Sequence, residues 1–67
     1  MRICYNKLWK LLIDKNMKKS DLKEKAGISS ASLAKLGKGD NITTDVLLRI
    51  CEAMDCRLND IMETVDE

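Results

Sequence analysis

Apolar residues recur at intervals of three and four along almost the whole of this 67-residue chain. That spacing places them on one face of an α-helix, and no segment alternates apolar and polar residues for long enough to predict a β-strand. The chain also contains no proline, which would interrupt a helix. The sequence therefore predicts an all-α fold, and its length allows one small domain over residues 1–67.

Five short helices are predicted, each marked by a residue that favours a helix end. The first spans about residues 5–15 and ends at Asn16, which suits a left-handed conformation. The second spans about residues 19–26 and ends at Gly27, because glycine adopts a positive φ at no steric cost. Ser29 is a good N-cap for the third helix, which continues to about residue 36.

The C-terminal part begins with the densest turn signal in the chain, residues 37–41, which predicts a loop. Thr43 is a good N-cap for a fourth helix, and the apolar spacing that follows predicts a fifth over about residues 58–64. The five helices share a small aliphatic core, with Tyr5 and Trp9 as its aromatic candidates. A core of this size leaves little stability and favours oligomerisation.

The net charge of +1 conceals a division along the chain. Residues 1–39 carry ten basic and three acidic side chains, a net charge of +7, and residues 40–67 carry two and eight, a net charge of −6. Such asymmetry is typical of a chain whose basic part meets a nucleic acid or a membrane surface. The longest apolar run, Leu11-Leu12-Ile13, is too short to span a membrane, and no secretory signal is visible, so a cytoplasmic protein without membrane association is expected.

The inventory of reactive side chains argues against an enzyme. The chain has no histidine, and no nucleophile and base arrangement can be proposed from its spacing. Cys4, close to a chain end expected to be disordered, Cys51 and Cys56 lack the spacing of a disulfide framework or a zinc site. We expect reduced cysteines that act as small apolar residues, and no metal, cofactor or small-molecule substrate.

The most informative stretch is residues 18–39, KKSDLKEKAGISSASLAKLGKG. It supplies the buried apolar positions and the turn glycine that two helices joined by a tight turn require: Leu22, Gly27, Ile28, Leu33 and Leu36. A helix-turn-helix over about residues 19–36 is therefore predicted. The second helix of such a unit lies in the DNA major groove, and its N-terminal residues face the base edges. Here those residues are Ser29, Ser30, Ala31 and Ser32.

Over about residues 5–64 the chain resembles the Cro/C1-type (lambda-repressor-like) helix-turn-helix DNA-binding domains. The resemblance is carried by Leu8, Leu22…Ala26-Gly27-Ile28-Ser29, Leu33…Leu36, Gly39 and Leu47…Ile50-Cys51…Met54…Cys56…Asp60-Ile61. The stretch NKLWKLLIDKNMKK and the pair Cys51 and Cys56 further resemble small stand-alone regulators of Gram-positive bacteria, some of which are encoded beside glycopeptide-resistance genes.

The resemblance implies a compact five-helix domain that regulates transcription as a homodimer bound to double-stranded DNA, without a cofactor. Lys19 corresponds to a phosphate-contacting position, and Lys35 and Lys38 flank the third helix. Each of these three lysines either meets a phosphate or remains an ordinary solvated lysine. In members of the family, the C-terminal end of the domain often forms a two-fold contact between two copies. Here that contact would involve Ile61, Met62 and Val65.

The chain departs from the family pattern in three respects. Lys23 stands where a small residue is usual, and its stem can run along the helix interface. Leu12 and Gly37 stand where many members pair an arginine with a glutamate. Because both partners are missing together, no buried charge is left without its partner. Lys18 replaces the usual serine or threonine cap of the second helix, so that helix is expected to begin with a weak cap.

The sequence alone leaves open the place of Trp9 and the function of the chain. Trp9 lies either at the edge of the core or at a contact with a second copy or another partner. The small residues of the third helix lack the side chains that read bases strongly, so modest specificity is expected. The alternative function is a helical interaction module or antitoxin-like co-regulator with weak or no DNA binding.

Overall fold

Four α-helices, one short 3₁₀ helix and a two-stranded sheet make up the fold in a computed structural model that describes residues 1–66. The α-helices are α1 (Asn6–Asp14), α2 (Lys19–Ala26), α3 (Ser30–Lys38) and α4 (Thr44–Met54). The 3₁₀ helix covers Leu58–Asp60, and the strands are β1 (Arg2–Cys4) and β2 (Glu63–Val65).

The ends of the first four helices lie close to their predicted positions because local residues determine them. Asn16 follows α1 with a φ of 56°, and Gly27 ends α2 with a φ of 67°. The Ser29 hydroxyl accepts a hydrogen bond from the backbone N–H of Ser32 at 3.1 Å, which caps α3. The Thr43 hydroxyl caps α4 in the same way.

The third helix is longer than predicted, since Gly37 and Lys38 belong to it rather than to the following loop. A glycine within a helix is unfavourable but tolerated. The chain leaves the helix at Gly39, whose φ is 74°. The backbone N–H of Asp40 then bonds the carbonyl of Lys35 at 2.9 Å, which closes the helix end.

The predicted fifth helix is wrong, and so is the all-α fold class in its strict form. After one 3₁₀ turn the chain extends into β2, which pairs antiparallel with β1, so that Ile3 lies opposite Thr64. Apolar spacing within residues 58–64 could not reveal this, because the pairing partner lies at the other end of the chain. The same pairing orders the N-terminus, and Cys4 is buried rather than part of a disordered end.

The core draws apolar side chains from all four α-helices and from the segment before β2. Its largest fully buried members are Leu8, Leu22, Leu36, Ile50, Met54 and Ile61. The helix α2 packs mainly against α4, and α3 contacts α2. Within residues 1–66 no charged side chain is buried, so this core fixes α2 and α3 mainly through apolar contacts.

The three departures from the family pattern have local explanations. Leu12 is a buried core residue and Gly37 is exposed, so the missing charge pair leaves no charged group inside. Lys23 is half-buried, as a stem lying along the helix interface would be. The Asp21 carboxylate accepts a hydrogen bond from the Lys18 backbone N–H at 2.9 Å, which compensates in part for the weak cap of α2.

Candidate nucleic-acid interface

The turn between α2 and α3 is held by backbone geometry and by one buried side chain. Gly27 is left-handed, and the backbone N–H of Ile28 bonds the carbonyl of Lys23 at 3.1 Å. The Ile28 side chain is buried in the same core as Leu22 and Leu36. The turn therefore fixes the orientation of α3 relative to α2.

The four residues predicted to face DNA bases differ in their availability. Ser30 and Ala31 are exposed, whereas Ser32 is half-buried. The hydroxyl of Ser29 caps α3 and also donates to the hydroxyl of Ser32 at 3.1 Å. Of the four predicted residues, Ser30 and Ala31 are thus the two whose side chains are exposed and form no hydrogen bond within α3.

The exposed face of α3 extends further than sequence reasoning indicated. Ala34 is exposed and lies one turn beyond Ser30, and Lys38 is one turn beyond Ala34. Lys35 lies one turn beyond Ala31 and is exposed as well. Ala34 was missed, although its four-residue spacing from Ser30 was visible. We call these five residues the α3 face: small side chains at its N-terminal end and two lysines towards its C-terminal end.

Lys19 lies on α2, and its side chain contacts α1. Its ammonium nitrogen lies 4.6 Å from the ring centroid of Trp9. Trp9 is half-buried and packs against the core, which agrees with the core-edge alternative. Sequence reasoning named both residues but not their contact, because they belong to different helices.

Arg49 is a further residue that sequence reasoning missed. Its guanidinium donates from Nη1 to the backbone carbonyl of Gly27 at 3.3 Å, and its Nε lies 3.1 Å from a carboxylate oxygen of Asp45. The spacing of Asp45 and Arg49 on α4 was visible in the sequence. The contact with Gly27, in the turn between α2 and α3, was not.

The basic half of the chain does not all lie beside α3. Lys7 donates to the backbone carbonyl of Asn59 at 3.0 Å and lies 3.9 Å from the Glu63 carboxylate. Two further lysines, one on α1 and one just after it, and acidic residues that follow α4 line an open groove of about 490 Å³ with it: Lys7, Lys10, Leu11, Lys15, Met54, Asp55, Cys56, Asn59 and Asp60. Part of the +7 charge therefore faces acidic residues of the same chain.

The residues predicted to form a dimer contact are unequally accessible. Ile61 is 0% exposed and belongs to the core, so it cannot form that contact while this packing persists. Met62 and Val65 are half-buried. The most exposed large apolar side chain within a helix is Ile13, at 75%, which the prediction did not include.

The three cysteines are free, and two of them lie together at the end of α4. Asp55 is left-handed, and the backbone N–H of Cys56 bonds the carbonyl of Cys51 at 3.0 Å. Burial raises the pKa of the Cys56 thiol to about 11, and the neighbouring Cys51 thiol acts in the same direction. A thiol protonated at neutral pH is a poor nucleophile, consistent with a packing role.

Burial also raises the pKa of Tyr5, whose hydroxyl donates to the backbone carbonyl of Asp40 at 3.4 Å. Within residues 1–66, no three histidine, cysteine, aspartate or glutamate side chains group closely enough to bind a metal ion. None of the helices described there combines the length and apolar content that a membrane crossing requires.

Comparisons with known proteins place the chain in a family. Residues 7–67 match the Cro/C1-type helix-turn-helix DNA-binding domain. The crystal structure of the transcriptional regulator VanUg is similar, with 53% sequence identity, a TM-score of 0.94, and coverage of 98% of this chain and 88% of that one. No curated protein matches. The narrower resemblance drawn from the first helix and the cysteine pair is confirmed by VanUg. The chain belongs to the Cro/C1-type helix-turn-helix DNA-binding domain family.

Proposed function

We propose that this chain is a transcriptional regulator that binds double-stranded DNA, with α2 and α3 as its helix-turn-helix and α3 in the major groove. The observation that carries the proposal is the α3 face, a stripe of small side chains bordered by Lys35 and Lys38 on a helix fixed by the core. Family membership and the similarity to VanUg, described as a transcriptional regulator, support it.

Each group of residues has a distinct task in this proposal. Ser30 and Ala31 approach base edges, where a hydroxyl can bond several bases and a methyl can contact thymine. Lys19, Lys35 and Lys38 bond phosphates and release counterions. The hydroxyls of Ser29 and Ser32 chiefly maintain the start of α3. Because small side chains discriminate weakly, selection among sites depends on DNA shape and on a second half-site.

A second half-site requires a second copy. We propose a homodimer whose two α3 helices enter the major groove about one turn of DNA apart. Met62 and Val65 stay candidates for the two-fold contact, since both keep partial exposure, whereas Ile61 is withdrawn. The proposed regulator acts in the cytoplasm as one domain over residues 1–67, without enzymatic activity or a cofactor.

The experiment that tests DNA binding is the salt dependence of affinity for a mixed-sequence duplex, measured by fluorescence anisotropy. Each phosphate contact that a lysine makes contributes about 0.9 to the slope of log K against log salt. Lys19→Ala, Lys35→Ala and Lys38→Ala should each lower the slope by about that amount. Lys10→Ala is the matched control, because Lys10 is also exposed but lines the groove with Asp55 and Asp60.

The outcome that would contradict the proposal is an absence of measurable binding of the folded wild-type protein at low salt. In that case the interaction-module alternative would be favoured. An equal reduction of slope in the Lys10→Ala control would also contradict it. That result would show that lysines all over the surface contribute to DNA binding, and not those on α2 and α3 in particular.

A further inference from the structure

We infer that Trp9 is a positioning residue for the phosphate contact of Lys19, an inference that rests on the proposed DNA binding. The indole ring belongs to α1 and the lysine to the first residue of α2. In this inference the ring holds the Lys19 ammonium in one place before DNA binds.

The geometry is that of a cation–π contact. The Lys19 ammonium nitrogen lies 4.6 Å from the Trp9 ring centroid, inside the range of about 6 Å in which a ring face attracts a cation. Trp9 itself is anchored, because it packs against the core. A flexible lysine is therefore held by a rigid group, and less side-chain freedom remains to be lost on binding.

The surroundings of this contact favour a further ligand on the ammonium. The shallow cavity of about 270 Å³ around the contact is lined by Trp9, Leu12, Ile13, Met17, Lys18 and Lys19. No acidic residue is among these lining residues, and within residues 1–66 Lys19 forms no ion pair. One side of the ammonium faces the ring and its remaining N–H donors are available to a phosphate oxygen.

Lys7 provides an internal contrast. Its ammonium already bonds the Asn59 carbonyl at 3.0 Å and lies 3.9 Å from the Glu63 carboxylate. A phosphate would have to compete with those groups. The partner of Lys19 is an aromatic face, which attracts the cation without occupying its hydrogen-bond donors. The two lysines differ in this respect, although both are exposed.

The test is a double-mutant cycle on the affinity for a mixed-sequence duplex of about 30 base pairs at low salt, where phosphate contacts dominate. Trp9→Leu should weaken binding roughly two- to fivefold, the loss expected for an exposed cation–π contact. The same change in a Lys19→Ala background should have no further effect. Trp9→Phe and Lys19→Arg should retain most of the affinity, because each keeps a ring and a cation.

A second measurement reports on the contact without DNA. The side-chain methylene protons of Lys19 should show an upfield ring-current shift that disappears in Trp9→Leu. Thermal unfolding of each variant establishes that it is folded, and Trp9→Phe keeps the cycle interpretable if Trp9→Leu is unstable.

Each outcome decides the inference. Loss of affinity that depends on Lys19 supports it. A loss of the same size in both backgrounds shows that Trp9 acts only through packing, which overturns the inference and leaves the proposed DNA binding intact. Failure of the wild-type protein to bind the duplex overturns both.

Discussion

The guanidinium of Arg49 donates a hydrogen bond to the backbone carbonyl of Gly27 at 3.3 Å, which connects α4 to the turn between α2 and α3. Asp45, one turn earlier on α4, holds the guanidinium from its other side at 3.1 Å. The helix that packs most closely on α2 thus also contacts the glycine that ends α2. In the proposed regulator, this contact helps to set the direction in which α3 leaves the turn.

Arg49→Ala should lower DNA affinity more than it lowers stability. All three groups involved are exposed, so the Gly27 carbonyl regains water and the loss of unfolding free energy should be below about 1 kcal/mol. Amide hydrogen exchange in the first turn of α3 should become faster. Arg57→Ala removes an equal charge away from the turn and should leave exchange in α3 unchanged. Identical exchange in the two variants would contradict a role for Arg49 in holding the turn.

Two glycine substitutions should change stability in opposite directions. Neither Gly27 nor Gly37 has an atom within 4 Å of the position that a Cβ would occupy, so steric contact does not distinguish them. Gly27→Ala should cost about 1 kcal/mol because its φ is 67°. Gly37→Ala should gain about 0.5–1 kcal/mol because Gly37 lies within α3. Urea unfolding measures both, and a stabilising Gly27→Ala would show that the turn is not left-handed.

Ile61→Ala should destabilise the protein by about 2–5 kcal/mol, the usual cost of truncating a fully buried isoleucine. Leu58→Ala is the control, because Leu58 is 43% exposed and should cost less than about 1 kcal/mol. Chemical denaturation of the two variants gives the comparison. Similar small losses would mean that the segment before β2 is not packed as described, and would restore Ile61 as a candidate for a dimer contact.

The Cys56 thiol should react slowly with iodoacetamide at neutral pH and faster as the pH approaches 11. Its pKa is raised from 9.0 to about 11 in the folded protein, first by burial and then by Cys51. The unfolded chain loses this proton at lower pH than the folded one, so stability is fully present below pH 9 and falls as the pH rises from 9 to about 11. Cys56→Ser should reduce that fall. Rapid labelling of Cys56 in the folded protein at pH 7 would contradict the raised pKa of this half-buried thiol.

The sequence was sufficient where the determinants of structure are local. Asn16, Gly27, Ser29 and Thr43 each act on their own helix end, and four helices lie close to their predicted positions as a result. The fifth helix failed because apolar spacing over a few residues cannot distinguish a 3₁₀ turn and a short strand from a helix. The strand exists only because β1, some 60 residues earlier, supplies its hydrogen-bond partners.

In the candidate interface, too, features that depend on local sequence could be predicted, and contacts between distant residues could not. The exposure of Ser30, Ala31 and Lys35 follows from helical periodicity and could be anticipated. The Arg49 contact joins α4 to the turn at Gly27, and the Trp9–Lys19 contact joins α1 to α2. Only the packed fold brings these residues together. The net charge of a stretch of sequence also did not show where each lysine lies in the fold. Lys7, for example, lies beside Glu63 rather than beside α3.

The most direct test of the central claim, that α3 reads DNA, compares duplex binding by Ser30→Glu and Asn6→Glu. Both place the same negative charge at an exposed position in the first turn of a helix, one on α3 and one on α1. Ser30→Glu should weaken binding by roughly tenfold or more, because a carboxylate would meet base edges and phosphates, while Asn6→Glu should retain affinity within about twofold and both keep their helicity. Undiminished binding by Ser30→Glu, or an equal loss in both variants, would contradict the proposal that α3 is the DNA-reading helix.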